Sequence, residues 1–329
     1  MTMTTQRTLK AIAFGLALAF SPPALSQAFP TKPVTMLIPF AAGGPTDVVG
    51  RLIGEHMGRT LGQPVVIENA VGAAGTLAGQ RLIASPPDGH TILIGHTGTH
   101  AAAVSLNPGL KYRPVEDFAH VGLVNTNPIF VNVRKNHPAN TLKELVDWLK
   151  LNQSEANNAH AGVGSVSHTT CLLFNSVIGI KTRGVPYRGT APAMNDLIGG
   201  QVDYLCDQGV NVAPQTRAGT IKTLAIAQDR RAPLLPDVPT STEAGVPDFK
   251  VIVWNAMFTH KDAPPAAVAT LNRALGAALN DPVMKAKLEE IGAEVPTAEL
   301  QTSAGLRAFV GSEIIRWTPI IQAAGVTLQ

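Results

Sequence analysis

Short apolar runs alternate with amphipathic segments along most of this chain. The runs have the length and composition of strands, and the segments between them repeat apolar residues at helical spacing. This alternation indicates an α/β fold with two mainly parallel sheets and helices on both faces. The predicted strands cover residues 34–39, 65–68, 91–95, 118–125, 129–133, 158–162, 184–186, 202–206, 221–227 and 251–258. The predicted helices cover residues 46–60, 75–84, 141–151, 168–178, 191–199, 212–218, 265–280, 282–291 and 297–323.

A proline-rich stretch over residues 232–247 interrupts the alternation, and we interpret the helices after it as returning to the first lobe. The chain would then cross between lobes only at two extended segments, 129–133 and 251–258, which permits a hinge. We therefore predict one domain of residues 29–129 plus 252–329 and a second of residues 130–251. Ligands of open α/β sheets bind at the carboxyl ends of the strands, so the expected site is the cleft between the lobes.

The first 28 residues have the features of a removable signal peptide. Arg7 and Lys10 precede a short apolar run, and Ser26 and Ala28 are small residues at cleavage spacing. No segment is long enough to cross a bilayer, so we expect a periplasmic protein that is not embedded in the membrane. Removal of two basic residues and no acidic ones would lower the formal net charge from +3 to +1, which gives no electrostatic case for nucleic acid.

The most informative local feature is an apolar strand that runs into Gly43 and Gly44 and then directly into a helix. The first turn of a helix leaves about four backbone N–H groups without partners and carries about half a positive charge. An anion is the natural ligand of such a turn, and glycine lets it approach the main chain closely. Asp47 opens this helix, and capping is the more natural role for its side chain than ligand contact.

Four loops that follow predicted strands are rich in Gly, Ser and Thr. They cover residues 40–47, 95–101, 162–168 and 187–193. Their amides and hydroxyls can solvate a carboxylate without a formal charge, although any single loop has the composition of an ordinary turn or cap. Arg188 is the candidate counter-charge, since a guanidinium can grip a carboxylate through two parallel hydrogen bonds. Asp207 follows another apolar strand, so we expect it to face the cleft and to contact water or a ligand hydroxyl.

Signatures of enzymes and metal sites are missing from the sequence. His96 and His100 have the spacing of two metal ligands on a helix, but a glycine lies between them and no third ligand is near. We therefore expect neither a metal nor a cofactor.

The alternative to a binding protein is a secreted serine hydrolase that uses Ser165 or Ser167 with a histidine such as His168. The sequence there is not G-x-S-x-G, and neighbours in sequence rarely form a catalytic triad.

The two cysteines, Cys171 and Cys206, would lie in an oxidising compartment, where a disulfide can persist. Both belong to elements that are expected to face the cleft. A disulfide between them and a pair of buried thiols, which would pack as small apolar groups, stay open as alternatives.

Six motifs make the chain similar to a known family over the whole of its mature length. They are PFAAGGPTD at 39–47, HTGTHA at 96–101, YRPVEDF at 112–118, GVGSVSHTT at 162–170, VPYRGTAPAMNDLIGGQVDYLCDQ at 185–208 and LPDVPTSTEAGVPDF at 235–249. The family that the chain resembles is that of the substrate-binding receptors of tripartite tricarboxylate transporters, the Bug-type periplasmic proteins. Together the motifs are highly specific, whereas each motif alone is weak.

The resemblance implies a two-lobed Venus-flytrap fold of the type II periplasmic-binding class. It also implies capture of a small carboxylic acid by backbone amides and ordered waters, and delivery to a membrane permease with no reaction. The site residues that it implies are Ala42, Gly43, Gly44, Thr46, Asp47, Thr97, Thr99, Ser165, Ser167, His168, Tyr187, Arg188, Gly189, Thr190 and Asp207. Gly209 and the pair Trp254-Asn255 depart from the common family residues, so the identity of the acid stays open. A chain without coiled-coil heptads is expected to be a monomer.

Overall fold

The computed structural model describes residues 29–325 and 327, and the predicted signal peptide lies outside the described residues. The strands of the described part are β1 (Val34–Ile38), β2 (Val65–Asn69), β3 (Thr91–His96), β4 (Phe118–Arg134), β5 (Asn157–His160), β6 (Arg183–Pro186), β7 (Tyr204–Gln208), β8 (Ile221–Ile226) and β9 (Ile252–His260). The helices are α1 (Pro45–Leu61), α2 (Thr76–Ile83), α3 (Ala103–Leu106), α4 (Leu142–Leu151), α5 (Val166–Ile178), α6 (Thr190–Ile198), α7 (Gly209–Arg217), α8 (Pro265–Asn280), α9 (Pro282–Glu290) and α10 (Ser303–Ala324). A 3₁₀ turn covers Ala73–Gly75, and a π-helical turn covers Gly98–Ala102.

Helix ends follow the local sequence. Helix α1 has Pro45 in its first turn, where no N–H is needed, and ends at Gly62, whose φ of 69° favours glycine. Helix α4 begins with a cap in which the Thr141 hydroxyl accepts from the Glu144 N–H at 3.2 Å. The Glu144 carboxylate in turn accepts from the backbone N–H of Asn140 at 2.7 Å. In the usual capping box the donor would be the N–H of the N-cap residue itself, here Thr141, which follows Asn140.

The strands form one continuous sheet in the order β2-β1-β3-β9-β4-β7-β5-β6, and β8 also pairs with β4. The pairs β1–β2, β1–β3, β5–β6 and β5–β7 are parallel, whereas β4 and β9 run antiparallel to their neighbours. The predicted two-lobed α/β fold is therefore present, but the described strands form one mixed sheet instead of two mainly parallel sheets. The reason is that β4 leaves the first lobe and β9 returns to it, so these adjacent strands must run in opposite directions.

Strand β4 joins the two lobes as one continuous element, where the sequence predicted two strands. Its first part, Phe118–Pro128, pairs with β9, and its second part, Ile129–Arg134, pairs with β7 and β8. The return crossing is at Val251, whose N–H donates to Ala227 of the second lobe at 3.0 Å immediately before β9 begins. These pairings support the predicted domain bounds at 129/130 and 251/252, which stay a prediction.

The longest helix, α10, is fixed to β9 by a buried carboxylate. Glu313 is only 4% exposed and accepts from the indole N–H of Trp254 at 2.9 Å and from that of Trp317 at 3.2 Å. Arg316 donates to its other oxygen at 3.2 Å. Because Trp254 lies just beyond the return crossing, this cluster holds the helix against the strand that enters the first lobe.

The cysteines are free, buried thiols in the structure, which corresponds to the second of the two alternatives and not to the disulfide. Cys206 donates its backbone N–H to the sulfur of Cys171 at 3.2 Å, so the two residues are in contact across α5 and β7. Burial raises the pKa of the Cys206 thiol well above its ordinary value, which keeps this sulfur protonated and unreactive.

We predict that Glu313→Ala lowers the free energy of unfolding by roughly 2–4 kcal/mol, because two buried indole N–H groups lose their acceptor. Glu313→Gln is the matched control. Its amide oxygen can still accept from an indole N–H, so this variant should lose less than half of the unfolding free energy that Glu313→Ala loses. Urea unfolding followed by tryptophan fluorescence measures both variants. Equal losses for Ala and Gln would show that the charge, and not hydrogen-bond acceptance, is what stabilises this contact.

Candidate functional site

Four helices follow strands at one end of the sheet, and their N-cap residues all line one cavity between the lobes. The N-caps are Gly44 of α1, Ser165 of α5, Gly189 of α6 and Gln208 of α7. The cavity has a volume of about 110 Å³. Each helix N-terminus contributes unpaired N–H groups and a partial positive charge, so the arrangement concentrates hydrogen-bond donors on the cavity without requiring a cation.

Three of these four helices have no side chain capping the N-terminus. In α1, α6 and α7 no side-chain oxygen accepts from the first-turn amides. In α5, by contrast, the Ser165 hydroxyl accepts from the His168 N–H at 3.3 Å. Since Pro45 has no N–H, the first amides that α1 can offer are those of Thr46 and Asp47. The uncapped amides are therefore available to a ligand.

Asp47 shapes the turn between β1 and α1 and does not line the cavity. Its carboxylate accepts from the Gly43 N–H at 2.9 Å, from Arg51 at 2.8 Å and from Asn69 at 2.9 Å. Burial alone would raise the pKa of Asp47, but these hydrogen bonds together lower it below the ordinary value. The carboxylate thus stays ionised and holds Gly43 at a φ of 81°, a conformation that favours glycine. The turn is fixed before any ligand arrives.

The loop between β5 and α5 brings two serines to the opposite wall. Ser165 and Ser167 are buried, their hydroxyl oxygens lie 3.3 Å apart, and both line the cavity. The Ser167 hydroxyl also accepts from the Ala161 N–H at 2.9 Å. His168 does not line the cavity, because its Nδ1 accepts from the Gly164 N–H at 3.2 Å and its ring packs on His160. Burial lowers the pKa of His168 to about 3.

The loop between β6 and α6 supplies the only cationic side chain that lines the cavity among the described residues. Arg188 is exposed and makes no hydrogen bond or ion pair within the part of the chain that the structure describes. Gly189 and Thr190 follow it along the wall. Tyr187 instead turns its hydroxyl onto Asp196 at 2.6 Å and stays outside the cavity lining. A guanidinium with free donors at the rim can meet a second anionic group of a ligand.

The end of β7 places an acid and an amide side by side on the wall. Asp207 is 1% exposed and accepts from the Asn211 amide at 3.1 Å, with no cation paired to it among the described residues. Burial raises its pKa to about 7, so the carboxyl is partly protonated near neutral pH and can donate as well as accept. The adjacent Gln208 has a side-chain oxygen without a partner in the described part of the chain.

The structure brings most, but not all, of the predicted site residues to this cavity. Those that line it are Ala42, Gly44, Thr46, Ser165, Ser167, Arg188, Gly189, Thr190 and Asp207. Those that do not are Gly43, Asp47, Thr97, Thr99, His168 and Tyr187. Lining residues that lie in the four predicted loops but were not named individually as ligand-binding are Phe40, Ala41, Pro45, His96, Val166, Ala191 and Pro192, and two further lining residues, Ala161 and Gln208, lie outside those loops.

Thr97 and Thr99 are engaged inside the first lobe, where their hydroxyls stabilise the chain after β3. The Thr97 hydroxyl accepts from the Trp254 N–H at 3.0 Å, and the Thr99 hydroxyl accepts from the His96 N–H at 3.1 Å. Two of the lining residues that were not named as ligand-binding, His96 and Gln208, are the last residues of β3 and β7. Their position at the end of a strand is the sequence signal that could have identified them. The apolar members, such as Phe40, carry no such signal.

The two lobes meet at a pair of glycines beside the cavity. Gly98 follows β3 in the first lobe and Gly164 precedes α5 in the second, and a Cβ added to Gly98 would overlap the Gly164 carbonyl oxygen. Gly164 itself has a φ of 80° and lies against Ala74. A side chain at position 98 would therefore keep the lobes from approaching this closely.

The geometry does not support a serine hydrolase. Ser165 caps α5 and Ser167 accepts from a backbone amide, and neither hydroxyl hydrogen-bonds a histidine ring within the described residues. The lowered pKa of His168 would also make its imidazole a weak general base at neutral pH. None of the helices that residues 29–325 form has the length and hydropathy required to cross a bilayer.

The two-lobed α/β fold with a cleft between the lobes is that of the periplasmic binding proteins. Comparison of the sequence with protein families matches residues 49–326 to the tripartite tricarboxylate transporter family receptors. Since this match spans most of the chain, the protein belongs to that receptor family, as the sequence motifs predicted.

Solved structures agree with this assignment. MatC from Rhodopseudomonas palustris, solved with bound malate, is 45% identical, covers 89% of this chain and all of its own, and superposes with a TM-score of 0.85. The periplasmic binding protein BugD is 39% identical over 92% of this chain and 100% of its own, with a TM-score of 0.86. An adipate-bound protein of R. palustris is 32% identical over 91% of this chain and 99% of its own, with a TM-score of 0.86.

We predict that Gly98→Ala weakens ligand binding at least about tenfold, because its Cβ would overlap both the Gly164 carbonyl oxygen and the His96 ring, which separates the lobes and displaces a residue of the cavity wall. Gly276→Ala is the control, since Gly276 lies in α8, does not line the cavity, and a Cβ there meets no heavy atom within 4 Å. Titration calorimetry with L-malate measures the affinities, and thermal melts check that both variants fold. Unchanged affinity in Gly98→Ala would mean that close lobe contact is not needed for binding.

A second prediction concerns the buried acid on the wall. The unfolded chain ionises Asp207 near its ordinary value of 3.8, whereas the folded chain keeps the proton up to about pH 7. The carboxyl therefore stabilises the fold at low pH, and this contribution is lost as the pH rises between these values. We expect Asp207→Asn without ligand to melt several degrees above wild type at pH 8, with the difference disappearing toward pH 4.

Asp248→Asn is the matched control for this series, because it makes the same charge change at an exposed position. Scanning calorimetry from pH 4 to pH 8 gives the melting temperature of each protein. A constant offset between Asp207→Asn and wild type at every pH would contradict a raised pKa at this site.

Proposed function

We propose that this receptor binds a small carboxylic acid in the cleft between its lobes and presents it, unaltered, to the membrane permease of a tripartite transporter. The observation that carries the proposal is the convergence of four helix N-caps on one cavity, three of them without a side-chain cap. Backbone amides held in this way stabilise a carboxylate through hydrogen bonds and aligned dipoles, and they provide no nucleophile or base for a reaction.

The size of the cavity favours a compact acid. Its volume of about 110 Å³ is smaller than the roughly 150 Å³ of an apolar cavity that admits benzene. A dicarboxylate of about four carbons suits this space, with one carboxylate at the turn before α1 and the other toward Arg188. The bound malate of MatC, which shares 45% of its residues with this chain, supports the same class of ligand.

The location and the oligomeric state of the receptor are also part of this proposal. The sequence features of residues 1–28 and the family membership support export to the periplasm. We propose that the receptor acts there as a monomer and that its lobes close on the ligand about the crossings in β4 and before β9. Closure would create the surface that the permease recognises, because only the closed form aligns the two lobes in one fixed arrangement.

The first test compares acids with their amides. We expect succinate or L-malate to raise the melting temperature of the protein, because a ligand that binds only the folded state stabilises it by about 2.7 kcal/mol at a hundredfold excess over Kd. Succinamide, of similar shape but uncharged, should cause no shift. Equal melting-temperature shifts from the acid and the amide would contradict an anion-binding site in the cleft.

A second experiment tests whether the acid is altered. Proton NMR of the protein mixed with the acid should show unaltered acid after prolonged incubation, and appearance of a product would contradict a pure receptor.

A further inference from the structure

His96 is a buried side chain on the cavity wall that the mechanism of anion capture by amides does not use. It ends β3, is 1% exposed and stacks on Phe40, with ring centroids 4.9 Å apart. Phe40 immediately precedes the turn that leads into α1, and both residues line the cavity. The imidazole therefore stands at the same end of the cavity as the first helix N-terminus.

A backbone hydrogen bond fixes which nitrogen of this ring carries the proton. The N–H of Gly98 donates to His96 Nδ1 at 2.7 Å, so Nδ1 must present its lone pair. A neutral imidazole then has its hydrogen on Nε2. Burial lowers the pKa of His96 to about 3, so the ring stays neutral at physiological pH. His96 is accordingly a hydrogen-bond donor through Nε2 and cannot accept there.

The donor has no partner. Nε2 of His96 is buried and makes no hydrogen bond to any part of the chain that the structure describes. His100, His120 and His137 also have a buried Nε2 without a partner in the described chain, but none of these three rings lines the cavity. A buried donor without an acceptor is unfavourable, and His96 is the one ring of these four that lines the cavity, so a ligand oxygen can meet Nε2 once the ring turns or the lobes close further.

We propose that His96 is a specificity-determining residue that donates its Nε2–H to an oxygen atom of the bound acid, at the end held by the turn before α1. This inference rests on the proposed function. The substituent on the carbon next to the carboxylate at this end then lies beside the same N–H. This N–H can also donate to a hydroxyl or keto oxygen there, but it repels an ammonium, which has no lone pair. The receptor therefore accepts hydroxy and oxo acids at this position and discriminates against amino acids of the same length.

Two substitutions at position 96 separate the two nitrogens of the ring. Asn places an oxygen near the position of Nδ1, so it can still accept from Gly98 but has no group near Nε2. Gln reaches further and can place an amide N–H near the position of Nε2. We expect His96→Asn to weaken L-malate binding at least about tenfold and His96→Gln to stay within roughly threefold of wild type, since a hydrogen bond to a charged acceptor contributes about 1.5–3 kcal/mol.

Titration calorimetry of the full mature chain with L-malate, succinate, adipate and L-aspartate gives the affinities, and circular dichroism confirms that both variants fold. Wild type should bind L-aspartate at least tenfold more weakly than L-malate, and His96→Asn should narrow this ratio. Nitrogen-15 NMR of labelled histidine provides a readout independent of affinity, in which Nε2 of His96 should be protonated and Nδ1 should not.

The outcomes distinguish this inference from the function on which it rests. If wild type binds an acid of the panel but His96→Asn binds it equally well, the role of His96 is overturned and the proposed function stands. Equal wild-type affinities for L-malate and L-aspartate, or a proton on Nδ1, also overturn it. If wild type binds none of these acids, the proposed function fails and the inference fails with it.

Discussion

A protein can hold a carboxylate without a dedicated counter-charge where backbone N–H groups are gathered and kept free of other partners. This chain meets that constraint by ending β1, β5, β6 and β7 at loops that start helices, all at one cavity between the lobes. Glycine at the N-caps of α1 and α6 leaves the amides uncapped and open to close approach. In the proposed function the anion site is thus a property of the backbone, and the side chains around it would act on the shape and chemistry of the ligand.

The rest of the structure keeps these amides in place. Asp47, held by Arg51 and Asn69, fixes the Gly43 turn before a ligand arrives, so little ordering remains to oppose binding. Strand β4 runs unbroken through both lobes, and its pairing partner changes from β9 to β7 between Pro128 and Ile129. The close approach of Gly98 and Gly164 then limits how near the two halves of the site come to each other.

Much of this architecture follows from local sequence, because strand and helix periodicity and glycine turns are local signals. The sequence predicted two strands, 118–125 and 129–133, where the structure has one. The segment between them contains Pro128, which cannot donate to a ladder and lies opposite Ile252 at the change of lobes. Thr97 and Thr99 were expected in the site from the family resemblance, yet the chain after β3 turns their hydroxyls inward. His96 was considered only as a metal ligand, since the hydrogen bond that fixes its tautomer depends on the folded position of Gly98.

We propose that backbone amides at converging helix N-termini hold the ligand. The decisive test is a crystal structure of the protein with bound L-malate. We expect a carboxylate in the cleft whose oxygens lie about 2.8–3.1 Å from first-turn N–H groups of α1 and of at least one helix of the second lobe, directly or through one ordered water. A carboxylate gripped by Arg188 alone, with the helix N-termini left unoccupied, or bound outside this cavity, would contradict it.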